Sequence, residues 1–91
     1  MSYTPDANVH RREIDLAVGV LIALRSVSEG DAFVELADHA RSTGSGLVPS
    51  ARALVALARG HRSDTPAGRA AERRWGSALN HRSPAVHTPA A

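Results

Sequence analysis

The stretch Ile14-Asp15-Leu16-Ala17-Val18-Gly19-Val20-Leu21-Ile22-Ala23-Leu24 constrains this chain more than any other. Ile14, Ala17, Val18, Leu21 and Ile22 recur at helical spacing and form one apolar stripe. Leu16, Val20, Ala23 and Leu24 widen it until almost no polar face remains. A helix that is apolar nearly all round is buried on more than one side. At 91 residues there is room for one thin core, so such a helix is expected to be central and also to meet a partner. Leu16, Val20 and Leu24 are its expected outer face and the expected homodimer interface. The run is too short to cross a bilayer, which takes about 20 apolar residues, and it follows Glu13 and Asp15 rather than a basic stretch. No leader is read, and a cytoplasmic location is expected.

The helix is expected over about 9–26, with Met1–Ala7 loose ahead of it. Ser28 reads as the N-cap of a second helix near 29–41, with Glu29 and Asp31 in the first turn where the helix dipole favours acids. Ala32, Phe33, Leu36, Ala37 and Ala40 form its expected inward stripe, leaving Glu35, Asp38, His39 and Arg41 outside. Ser42–Gly46 is a turn by composition. A third helix, near 49–59, takes Leu47 ahead of it, Pro49 in its first turn and Ala51, Leu54, Val55 and Ala58 inward, with Gly60 as its C′ residue. Thr65-Pro66 opens a weaker fourth helix near 66–79, and the segment from His81 to Ala91, with Pro84 and Pro89, reads as disordered. The reading is all-α: a three-helix domain over 1–60, then a basic linker, a short helix and a tail over 61–91.

Charge follows that division. All bases are arginine. Up to Gly60 six of them face seven acids; from His61 onward five face two. There is no cysteine, which excludes a disulfide scaffold and thiolate metal sites. His10, His39, His61, His81 and His87 lack metal-ligand spacing, so no metal is expected, and His39 with Glu35 reads as a surface pair. No nucleophile–base set or phosphate-binding glycine loop is present, so neither an enzyme nor a cofactor is expected. A helix-turn-helix DNA binder would read bases with the helix from Pro49 to Arg59, which offers only Arg52 and Arg59. Arg73, Arg74 and Trp75 suggest a patch for phosphates and stacked bases; the alternative is Trp75 covering an open edge of the bundle.

Ile14 to Ile22, with Ala17 and Gly19, resembles the opening of an ANTAR domain. The likeness continues in register through Ala32-Phe33, Leu36, Leu47 and Ala51, and spans roughly Ile14 to Ala58. It implies a three-helix domain, dimeric in bacterial regulators, that binds RNA carrying two small hairpins and thereby prevents a terminator from forming. Family members usually carry a sensor ahead of the helices; only a short lead precedes them here, so a separate sensor protein is expected. On the resemblance, the RNA-binding candidates are Ala17, Gly19, Arg25, Arg41 and Thr43, joined by Arg73 and Arg74 from the basic segment. For Gly19 the alternative is close packing of helices, and for Thr43 simply a turn. The family's basic residue between Ala and Gly is Val18 here, its Met is Ile22, and two of its common arginines fall on Leu24 and Ala37. The alternative function is therefore a protein-interaction or dimerisation module without RNA contact.

Overall fold

A computed structural model describes residues 5–82. The expectations for Met1–Thr4 and for Ser83–Ala91 lie outside them. Four helices fill this span: α1 (Pro5–Arg25), α2 (Glu29–Thr43), α3 (Leu47–Ala58) and α4 (Pro66–Arg82), with no strand among the described residues. α1 starts at Pro5, earlier than expected, as suits a residue with no amide hydrogen to leave unpaired. α4 runs past His81 to Arg82.

The helix ends follow local chemistry. Ser28 caps α2 by accepting the Asp31 amide at 3.1 Å. Gly44, at φ 73°, ends α2 and donates to the Ala40 carbonyl. Gly60 takes φ 86° and donates to Leu57 while the His61 amide reaches Ala56 at 2.8 Å, the paired bonds of a Schellman ending. Thr65 caps α4, accepting from Gly68 at 3.0 Å.

α3 packs against all three other helices, whereas α1 and α4 meet only lightly. The core is mostly small: Ala17, Val18, Ala32, Ala51 and Ala71 surround Leu21, Leu36, Leu54 and Trp75. Trp75 has no exposed surface. The fourth helix therefore supplies the largest side chain of the core, and Trp75 neither covers an open edge nor offers its face to a nucleobase.

α2 sits rotated from the expected orientation. Its buried residues are Ala32, Leu36, His39 and Ala40. Phe33, expected inward, is 42% exposed, and His39, expected outside, is 3% exposed. The cause is α4: the Trp75 ring lies 4.4 Å from the His39 ring, centroid to centroid, and turns the 32/36/39 side of α2 inward. In α1, Ala17, Val18 and Leu21 are buried, but Ile22 is 37% exposed. Val20 and Leu24, read as outer-face residues, pack partly buried against the core, and only Leu16 of that trio is exposed, at 42%.

Candidate nucleic-acid interface

Arginine is the only cationic side chain available for phosphate, so the fate of each arginine defines any RNA surface. Arg25, at the end of α1, grips Glu35 of α2 with two bonds, Nε to Oε1 at 3.1 Å and Nη2 to Oε2 at 2.8 Å. The same carboxylate accepts the Trp75 indole N–H at 2.9 Å and Arg74 Nε at 3.3 Å. Arg74 also lies over the Trp75 ring at 5.6 Å, within cation–π range. Glu35 is thus a hub that ties α1, α2 and α4 together. Burial alone would raise its pKa, but the bonds from Arg25, Trp75 and Arg74 and the Arg25 charge outweigh it and hold the carboxyl down at about 2. The bond to Glu35 pushes the Arg25 guanidinium up. No spacing in the sequence marks Glu35 as a hub, because its partners lie 10 to 40 residues away.

His39, read as the surface partner of Glu35, instead lies under Trp75. Burial lowers its pKa; the Arg74 and Arg73 charges lower it further, and Glu35 opposes them only in part. Its Nε2 has no hydrogen-bond partner among the described residues, so no acceptor there holds a proton on that nitrogen.

The other candidates divide. Arg41 pairs with Asp38 on the same helix. Thr43 donates its hydroxyl to the His39 carbonyl at 2.8 Å and lines an open cleft of about 590 Å³ with Arg52, Ser63 and Thr65. Ala17 is wholly buried and cannot touch a ligand. Gly19 is exposed, and a Cβ built on it meets nothing within 4 Å. Close packing within the chain is therefore not the reason for this glycine. Arg73 is exposed on α4, one turn from exposed Arg69, whose guanidinium reaches the Asp64 carbonyl. Arg52 and Arg62 are paired with Glu13 and Glu72. Among the described residues, Arg11, Arg12, Arg59, Arg69 and Arg73 form no ion pair, and no cluster of side chains suits a metal ion.

The model of the ANTAR domain matches residues 5–55. This chain belongs to the ANTAR domain family. No curated protein and no solved structure matches it. The ANTAR segment covers α1, α2 and most of α3, whereas α4, with Trp75 and with Arg69 and Arg73, which form no ion pair, lies beyond it. Val18, at the family's basic position in α1, is 7% exposed and belongs to the core. No helix among the described residues is long and apolar enough to cross a membrane.

Proposed function

We propose that this chain is an RNA-binding transcription antitermination regulator, not an enzyme, acting in the bacterial cytoplasm as a homodimer on double-hairpin leader RNA, with its signal supplied by a separate sensor protein. The ANTAR match over the first three helices of an all-helical fold carries the reading. The RNA-facing groups that suit it best are Arg69 and Arg73, which are held by no carboxylate and stand exposed one turn apart on α4. Arg25, Arg41 and Arg74 are committed to carboxylates and serve the fold first.

The test is a titration of the full chain against double-hairpin and unrelated RNA at two salt concentrations. A Met1–Gly60 fragment is unsuitable, because it would lack Trp75. The expected result is a preference for the double-hairpin RNA. Log affinity should fall with log salt by roughly 0.7–0.9 per phosphate neutralised, and two arginines per chain give a shallow slope. Arg69→Ala with Arg73→Ala should weaken both RNAs by a similar factor, since phosphate contacts carry little sequence information. A second reading, an interaction module without RNA contact, is favoured by one observation: Val18 buries an apolar side chain where the family has a base. Absence of binding to either RNA would establish that reading instead.

A further inference from the structure

α1, the first turns of α2 and Leu47 at the start of α3 enclose a groove of about 720 Å³. Small-molecule sites span about 300–1,000 Å³. The floor is apolar: Ile14, Val18, Phe33 and Leu47. Val18 is decisive here, because a base at that position, as the family has, would bring a charge to the floor. Phe33 is 42% exposed, so its ring is available to an occupant. Gly30 keeps the α2 wall open; a Cβ built on it would meet only Ser28 Oγ, at 4.0 Å.

The rim carries both signs of charge. His10 and Arg11 stand together on α1, Asp15 one turn further on, and Glu29 at the start of α2. Arg11, Asp15 and Glu29 are exposed, and none of them forms an ion pair among the described residues. Arg11 and Asp15 are about 6 Å apart along the helix axis, a spacing at which opposite charges can meet, yet they do not close on one another. The groove therefore offers a guanidinium and two carboxylates beside an apolar floor. A polyanion would meet the two acids, and a purely apolar occupant would leave all three charges unanswered. An occupant that carries both charges and an apolar body answers all of them.

We infer that this groove binds a zwitterionic small molecule with a large apolar side chain, of the α-amino-acid class. The ligand carboxylate faces Arg11, and its ammonium faces Asp15 and Glu29. Its side chain lies against Phe33 and over Ile14, Val18 and Leu47. Exposed charge pairs are weak, so removal of apolar surface from water supplies most of the affinity. The charges supply the selection: the ligand must carry both. This goes beyond the antitermination reading, because it gives the chain a ligand of its own. α4 contributes no residue to the groove, so the site is separate from Arg69 and Arg73.

The test is a nuclear magnetic resonance titration of the full isotope-labelled chain, with no RNA present. L-phenylalanine and L-leucine, taken to about 10 mM to cover a millimolar Kd, should move the backbone signals of Val18, Gly30 and Phe33 saturably. N-acetylphenylalanine lacks the ammonium and phenylalanine amide lacks the carboxylate. Each should bind about two- to fivefold more weakly than phenylalanine. Phe33→Ala should weaken phenylalanine by about tenfold and leave the far-ultraviolet helical signal unchanged, since the ring is outside the core. The decisive arm crosses ligand with variant. Arg11→Ala should abolish the preference for phenylalanine over its amide and keep the preference over N-acetylphenylalanine. Asp15→Ala with Glu29→Ala should do the opposite. No saturable shift with either amino acid, equal binding of all three phenylalanine compounds, or preferences unmoved by the variants would overturn the inference. A chain that binds phenylalanine but ignores RNA supports this site and sinks the antitermination reading; a chain that binds RNA but neither amino acid does the reverse.

Discussion

The first and fourth helices exchange the roles that their compositions suggest. α1 holds the longest uninterrupted apolar run of the chain, Leu16 to Leu24, yet a side chain at Gly19 in its middle would meet nothing within 4 Å. α4 carries four arginines, an acid and two glycines in seventeen residues, yet it delivers the only wholly buried aromatic side chain among the described residues. A core is decided by where a few large side chains land, not by how many apolar residues a helix holds. α1 leaves Leu16 and Ile22 exposed, while Trp75 of α4 fills the space that three small helices leave open.

The sharpest way to break this contrast is Trp75→Ala. Loss of a buried tryptophan costs about 3–5 kcal/mol, a large share of the stability of a domain this small. Urea denaturation should show the variant largely unfolded. A cooperative transition near the wild-type midpoint would make α4 an appendage. Next is Glu35→Gln, which removes the charge that holds Arg25, Arg74 and the indole. The expected loss is about 2 kcal/mol. Because the folded pKa of Glu35 lies below its ordinary 4.5 at about 2, its contribution is complete above pH 4.5 and disappears as pH falls from there toward 2. The acid limb of a stability–pH curve should therefore flatten in Glu35→Gln.

His39 titrates in a separate window with the same direction. Its folded pKa is below 6.5, so the unfolded chain takes up a proton first. Stability should decline as pH falls below 6.5, until the folded pKa is passed. Melting temperatures of His39→Leu between pH 7 and 5 should show a smaller decline than wild type.

The glycines of the two helices sharpen the comparison further. A Cβ at Gly68 would lie 2.6 Å from Ser63 Cβ and 2.8 Å from its carbonyl oxygen, so Gly68→Ala should cost about 1–3 kcal/mol through overpacking. Gly19→Ala meets open space and should gain up to about 1 kcal/mol in the monomer. Equal effects in thermal melts would contradict both accounts.

What could be read from the sequence was what is decided locally. Ser28, Thr65, Gly44 and Gly60 mark helix ends through bonds spanning three to five residues, and each is legible in its own neighbourhood. The orientation of α2 was not. Ala32, Leu36 and Ala40 suit two adjacent stripes, one including Phe33 and the other His39, and a residue 36 positions beyond His39 chooses between them. The same distance hides the Glu35 hub. Of the candidate interface residues, Arg73 and Gly19 lie exposed, and the open space around Gly19 removes close packing as its reason. Arg25 and Arg74 look equally available in the sequence, and only the fold reveals that one carboxylate holds both.

The placement of Trp75 also orders events during synthesis. Translation proceeds at about 5–20 residues per second, so about one to four seconds separate the last residue of the family segment from the tryptophan that closes the core. During that interval Leu21, Leu36 and Leu54 have been synthesised but lack their common neighbour. The nascent ANTAR segment is then a set of amphipathic helices with an open seam, and it completes its fold only after α4 has been made.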